Sequence, residues 1–346
     1  MGIIAPVLFG YLADRFGWRG SLLRIASLGA FLPFAWLGAT TLLGRTPRVT
    51  ELWLAIGLSS FFRVPMMNLA DVSALETPTG YGTLRVYGSV GFMIAALAAG
   101  ALLDCNSVSH FPLGVAACFL LAFGFSFGLK RRVNAVRRPS RAEVTELLRR
   151  PRYAGLLVVA ALWAISHVAY DLCISLHLQQ LGASAFGTSL GWSIGVAAEI
   201  VLMSTWERYR SAMPLERWLL VGLIATALRW GAISTLGSLK VVLWLQPLHA
   251  LSFALVWMSL MELTRERAPR HLLATGQGMF SASCAIGSTV GMLLFGTLYG
   301  THRGHVTFAI AAAVALLACS VLILMQSLLR AHVVSVASPD SYCVDE

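Results

Sequence analysis

The sequence predicts an all-α polytopic membrane protein arranged as two helical halves, and three observations carry that prediction. Of 346 residues, 57% are hydrophobic and only 12% are charged, against roughly a quarter charged in an ordinary soluble domain. The apolar residues gather into runs of about 20, the length that crosses a hydrocarbon core about 30 Å thick at about 1.5 Å per helical residue. The basic residues, finally, sort by loop rather than scattering along the chain.

Ten such runs lie near Leu22 to Leu43, Glu51 to Ala70, Thr83 to Leu103, Phe111 to Leu129, Tyr153 to Leu178, Phe186 to Trp206, Leu215 to Leu236, Lys240 to Leu263, Leu272 to Tyr299 and His305 to Leu329. Ahead of them, Gly2 to Ala13 is apolar but only half a span long, and a charged loop begins at Asp14. A secretory signal would need a basic stretch before its apolar core, whereas Met1 is followed directly by Gly-Ile-Ile.

The net charge of +10 raises nucleic acid as a partner, so the placement of the 26 Lys and Arg residues decides. Assigning alternate loops to opposite sides puts 20 of them on one face: Arg15, Arg19, Arg24, Arg85, the nine from Lys130 to Arg152, Arg208, Arg210, Arg217, Arg265, Arg267, Arg270 and Arg330. The other face holds Arg45, Arg48, Lys240 and Arg303, and Arg63 and Arg229 fall inside runs. A bias of 20 to 4 is the signature of membrane orientation, with the rich side and the C-terminus cytoplasmic, and not of a nucleic-acid groove.

The one long internal polar stretch, Lys130 to Pro151, separates the runs into two groups. The organisation it predicts is an N-terminal half over 1–129, a basic cytoplasmic linker over 130–152, a C-terminal half over 153–330 and a tail over 331–346, the last polar and expected to be disordered. Within the linker, Ser140 with Glu143 three residues on is a capping box for a short helix carrying Val144, Leu147 and Leu148. That helix fits the membrane surface, and a solvated linker is equally compatible. Glycines concentrate in two runs (Gly82, Gly88, Gly91 and Gly100; Gly276, Gly278, Gly287, Gly291, Gly296 and Gly300), where small residues let helices approach closely inside the molecule. The six cysteines form no CxxC pair, and Cys118, Cys173, Cys284 and Cys319 sit within apolar runs, so neither a disulfide framework nor a zinc site is indicated.

The segment Gly10-Tyr11-Leu12-Ala13-Asp14-Arg15-Phe16-Gly17-Trp18-Arg19-Gly20 resembles the signature between the second and third helices of the major facilitator superfamily, Gly-x-Leu-Ala-Asp-Arg-x-Gly-x-basic-basic. It departs at Gly20, where a second basic residue is usual; Arg24 is the nearest substitute. On this alignment the half-length run is the family's second helix, and its first is absent from this chain. Leu69-Ala70-Asp71-Val72-Ser73-Ala74-Leu75, then Tyr81-Gly82-Thr83-Leu84-Arg85-Val86-Tyr87-Gly88-Ser89-Val90-Gly91-Phe92, resemble the fourth-to-fifth-helix region of 3-phenylpropionate-type members. Ser166-His167-Val168-Ala169-Tyr170, Ser193 to Glu199, Leu228-Arg229-Trp230-Gly231 and Gln246-Pro247-Leu248-His249 continue the likeness in order. The resemblance implies a monomeric rocker-switch transporter of a bacterial inner membrane, driven by protons and needing no cofactor. Its expected cargo is a small aromatic acid, with sugars and nucleosides behind; a non-transporting scaffold, a receptor or a truncated remnant is the other reading.

An ionisable side chain inside a bilayer costs at least about 2.5 kcal/mol, so each one asks for a partner or a polar cavity. Glu199, Arg229 and His249 fall near the middle of three successive runs, the family's eighth to tenth helices. The arrangement is similar to lactose-permease-type transporters, where a carboxylate, an arginine and a histidine couple protons to substrate. A second carboxylate one turn after the histidine would complete that pattern, and Leu251, Ser252 and Phe253 stand there instead. Glu199 is thus the expected proton carrier, against a static Glu–Arg pair. His167 and Asp171, four residues apart, can share a helix face with Tyr170 beside them, lining the path or simply packing. Arg63 is the expected counter-charge for an anionic substrate, or a structural partner of Asp71. Gly10, Asp14, Arg15, Gly17 and Arg19 form the expected gating loop. Enzyme readings lack support: there is no HExxH, no P-loop and no GxSxG at a strand-to-helix turn.

Overall fold

The computed structural model describes residues 3–105, 110–128 and 140–337, and every regular element among them is helical. The part of the basic linker over 129–139 and the tail over 338–346 lie outside the described residues. In chain order the α-helices are α1 (Ile4–Phe16), α2 (Arg19–Leu42), α3 (Val49–Leu75), α4 (Tyr81–Cys105), α5 (Phe111–Phe125), α6 (Arg141–Arg149), α7 (Pro151–Gln180), α8 (Ala185–Tyr209), α9 (Leu215–Thr235), α10 (Leu239–Trp244), α11 (Val256–Arg267) and α12 (Leu273–Ala337). Eight helical stretches among the described residues are long and apolar enough to cross a membrane, and α4 and α8 occupy the two remaining predicted runs. The molecule is a multi-pass membrane protein.

Two boundaries differ from the sequence reading. Asp14 belongs to the last turn of α1 rather than to a loop; the helix stops at Gly17, whose φ of 68° only glycine adopts freely and whose N–H returns to the Ala13 carbonyl at 2.9 Å. At the other end α12 runs seven residues past Arg330, because nothing in the sequence after Arg330 breaks a helix before Pro339.

Although α12 is unbroken in its backbone bonding, it is not a single rod. Along its first arm Tyr153 donates to the Gly276 carbonyl, Ser283 to that of Leu157 and Tyr299 to Gln180, so this arm rises parallel to α7. Along its second arm Gly304 lies against His177, Ser166 donates to the Ala311 carbonyl, and Gly155 meets Met325, so that arm returns antiparallel. The reversal falls between Tyr299 and His305, dividing the element into two spans, Arg270–His302 and Gly304–Leu328, that match the predicted runs Leu272 to Tyr299 and His305 to Leu329.

The expected glycine packing is intramolecular. A Cβ on Gly287 would collide with the Ala161 carbonyl and one on Gly291 with that of Ile165, so α7 and α12 touch backbone to backbone. The linker helix α6 starts at the predicted capping box, with Ser140 accepting from the Glu143 N–H at 3.2 Å and Glu143 accepting from the Ser140 N–H at 2.8 Å. Its Leu147 is buried in a cluster with Tyr153, Ala268, Leu272 and Met279, so α6 is docked beneath the C-terminal half.

The two halves, α1–α5 and α7–α12, meet on the arginine-rich face. Gly10 and Gly278 bring α1 against the start of α12: side chains there would strike the Ala274 and Pro6 carbonyls. Gly82 does the same for α4 against the Met203 carbonyl of α8. Tyr81 ties three elements together, donating to Asp71 at 3.1 Å and accepting from Trp257 at 3.0 Å. Farther from this face α4 and α8 part, and a cavity opens between the halves.

Candidate functional site

The cavity has a volume of about 470 Å³ and is lined from α4 by Arg85, Ser89 and Phe92, from α7 by His167 and Asp171, from α8 by Trp192 and Glu199, and by His249 and Phe253. A volume of this size suits a small organic solute.

The helix that carries His249 is broken there. A 3₁₀ turn, Gln246–Leu248, contains Pro247, and a π turn, Ala250–Leu255, follows, a wide-turn geometry that recurs at functional sites. The break presents Gln246, His249 and Ser252, three residues apart, to the fully buried Arg229. Arg229 donates to Gln246 Oε1 at 2.8 Å and to Ser252 Oγ at 2.9 Å, and its Nη1 lies 3.3 Å from His249 Nδ1. The Tyr170 and Trp230 rings flank its guanidinium at 4.4 and 4.8 Å, and Tyr170 also donates to Gln246 at 3.0 Å. Arginine has only donors, so His249 Nδ1 must accept and the ring proton sits on Nε2. That Nε2 faces Glu199 Oε2 at 3.7 Å, while the other Glu199 oxygen accepts from Ser89 at 2.7 Å. Glu199, His249 and Arg229 therefore form one line across the C-terminal half, with the imidazole interposed. The direct Glu–Arg pair that sequence offered as the static reading does not form.

His167 Nε2 lies 3.7 Å from Asp171 Oδ1. His167 is buried and stacks on Trp163, whereas the Asp171 side chain is 56% exposed and open to the cavity. Arg63 is exposed on α3 and absent from the residues lining the cavity; Met67, one turn on, reaches it. Arg63 does not pair with Asp71, whose carboxylate is taken by Tyr81. The cation lining the cavity is instead Arg85. Sorting charges by loop assigns Arg85 to the basic face, but it stands inside the run predicted from Thr83, and Arg85, Ser89 and Phe92 at i, i+4 and i+7 share one face of α4. That spacing is the signal from which Arg85 and Ser89 are readable.

At the arginine-rich face Asp14 is buried and accepts from the N–H groups of Ala274 at 3.2 Å and Thr275 at 2.6 Å, and from the Thr275 hydroxyl at 2.8 Å. These amides belong to the first turn of α12, where helix N–H groups lack partners and the helix dipole favours an anion. Arg19 bridges Asp14 at 3.3 Å and Glu76 at 2.6 Å. The structure thus brings Gly10 and Asp14 against α12, and Gly17 sets the turn after which Arg19 joins Asp14 to Glu76. Arg15 instead points outward, bonded to Tyr11 at 2.6 Å.

Among the described residues no group of three His, Cys, Asp or Glu is placed to hold a metal ion. A model of the MFS_1 like family matches residues 1–310. The chain is 27% identical over 270 residues to the probable 3-phenylpropionic acid transporter of Escherichia coli (strain K12), spanning 75% of this chain and 70% of that protein. It is 23% identical over 325 residues to the putative nucleoside transporter YegT of the same strain, spanning 86% of this chain and 73% of that one. The solved structure of the E. coli fucose:proton symporter FucP matches with a TM-score of 0.71 at 13% identity, over 93% of this chain and 88% of that chain, a likeness of fold. Family, fold and apolar helices agree: the chain belongs to the MFS_1 like family and is a membrane transporter of the major facilitator superfamily.

Proposed function

We propose that the protein is a proton-coupled symporter of a small organic solute, an aromatic acid in the first instance, residing in a bacterial inner membrane with its arginine-rich face in the cytoplasm. The observation that carries the reading is the line from the cavity-facing Glu199 through His249 to the buried Arg229. A proton arriving here has one productive site. On His249 Nδ1 it would face the Arg229 cation with two donors opposed, whereas on Glu199 it neutralises a carboxylate that opens to the cavity. Glu199 is therefore the carrier, and His249 and Arg229 set its surroundings. His167 and Asp171 line the path, and Gly10, Asp14, Gly17 and Arg19 latch the cytoplasmic side while the cavity faces outward. The relative named for 3-phenylpropionic acid supports the acid over a sugar or nucleoside.

The test is uptake of labelled 3-phenylpropionate, with a panel of sugars and nucleosides, into proteoliposomes with and without an imposed proton gradient. Gradient-dependent accumulation of the acid is expected. Glu199→Gln should abolish accumulation while leaving counterflow exchange of the same solute. Full gradient-driven accumulation by Glu199→Gln would refute the carrier assignment.

A further inference from the structure

Trp192 lines the cavity with its polar atom already spent. Its indole N–H donates to Ser175 Oγ of α7 at 2.9 Å, and its ring lies 4.7 Å from that of Tyr170. Tyr170 is itself fixed, donating to Gln246 at 3.0 Å and carrying the Arg229 guanidinium 4.4 Å from its ring. An indole has one N–H and no acceptor, so Trp192 has no hydrogen bond left for a solute. What it offers the cavity is ring surface. Neither Ser175 nor Tyr170 is among the residues lining the cavity, so both act through the indole, holding it at one angle.

Along α8 the residues that line the cavity are Trp192, Val196 and Glu199, at i, i+4 and i+7. The helix runs on to Tyr209 at the arginine-rich face, so at about 1.5 Å per residue Trp192 stands about 10 Å farther from that face than Glu199. The cavity therefore has a polar end at Glu199, Ser89 and His249, and an apolar end where Phe92 of α4 and Trp192 stand. An indole face attracts a cation or an aromatic ring beyond what area burial alone gives. A cation is opposed here by the Arg229 charge behind Tyr170. An aromatic ring meets no such opposition.

Resting on the transport reading above, we infer that Trp192 is the specificity-determining residue for the non-polar end of the solute, a platform for an aryl ring set at its angle by Ser175. It separates an aromatic acid from a saturated acid of the same length. Because the indole is held before the solute arrives, little of the ordering cost falls on binding.

The test is equilibrium binding of labelled 3-phenylpropionate and its saturated counterpart 3-cyclohexylpropionate to the full chain in nanodiscs. Wild type, Trp192→Phe, Trp192→Leu and Ser175→Ala are compared, each first shown by thermal unfolding to be folded. The readout is the ratio of the two affinities, which cancels any effect common to both acids. Wild type should prefer the phenyl acid by about 2- to 12-fold, the span of aromatic pairing beyond area burial. Trp192→Phe should keep a preference for phenyl, Trp192→Leu should bring the ratio to one or below, and Ser175→Ala should lower it by freeing the indole to turn. Fluorine NMR of fluorotryptophan-labelled protein reads the same contact without a change of residue, the Trp192 line being assigned by its absence from Trp192→Phe. The phenyl acid should shift that line through its ring current, and the cyclohexyl acid should shift it less. An equal ratio in wild type and Trp192→Leu, or a Trp192 line unmoved by bound phenyl acid, overturns the inference and leaves the symporter reading standing. If wild type binds neither acid but binds a panel sugar or nucleoside, the acid reading itself fails and this inference with it.

Discussion

Replacing Asp14 by Asn tests whether the latch at the arginine-rich face decides which way the cavity opens. The side chain keeps its size, but it loses its charge and gains two donors facing the α12 amides. In the closed arrangement the Asp14 side chain is 1% exposed and accepts from two backbone N–H groups and a hydroxyl. Bonds to a charged acceptor contribute about 1.5–3 kcal/mol each; set against several kcal/mol to desolvate the carboxylate, the net contribution of the cluster is about 2–4 kcal/mol. With the two halves parted, water satisfies both Asp14 and the helix end, so the whole loss falls on the closed state. At about 1.4 kcal/mol per tenfold change, the equilibrium shifts about 30- to 700-fold towards opening on this face. The readout is the distance between spin labels at Arg15→Cys and Arg270→Cys, both exposed, in a background with the native cysteines replaced. A longer distance should become well populated in Asp14→Asn. An unaltered short-distance population would show that the latch contributes under about 0.5 kcal/mol, against the energies assigned here to its buried charge-assisted bonds.

Three further outcomes follow from the packing. Gly287→Leu drives a side chain into the Ala161 carbonyl within the C-terminal half; it should lower thermal stability by about 1–3 kcal/mol without changing the label distances, whereas a gating effect would show that α7 and α12 do not move as one body. Gln246→Leu leaves a fully buried Arg229 short of a partner and should cost about 3–5 kcal/mol, while Tyr170→Phe removes one of the two bonds that Gln246 Oε1 accepts and should cost about 1 kcal/mol; the reverse order in thermal unfolding would unseat Gln246 as the anchor. Arg63→Ala should change acid affinity by less than about threefold, since Arg63 is not among the residues lining the cavity; a loss of tenfold or more would return anion recognition to Arg63.

What the sequence makes legible follows from how each signal arises. Spans are legible because lipid demands unbroken apolar length, and the α6 capping box because it is local. The reversal within α12 is placed by the apolar runs, but its continuous backbone bonding is not, since Gly300 and Gly304 read as a break. At the site, Glu199, Arg229 and His249 stand out as ionisable groups in apolar runs, and the structure brings them together. The order in which they touch does not stand out, because it depends on the 3₁₀ and π turns around Pro247, a local unwinding that no apolar period encodes.

Arg63 and Arg85 show why a charge count cannot separate a path residue from a loop residue. Arg63 sits deeper in its apolar run, yet it is not among the residues lining the cavity; Arg85 sits within a turn of a loop, yet it lines the cavity. The difference lies in what occupies the same helix face. Along α4 the positions one and two turns after Arg85 are Ser89 and Phe92, which also line the cavity. Along α3 the position one turn before Arg63 is Ser59, whose hydroxyl bonds the Ala30 carbonyl of α2, while Met67, one turn after, lines the cavity. The position one turn on does not separate the two, since Met67, at i+4 from Arg63, also lines the cavity; the position one turn before does, because Ser59 is held by α2.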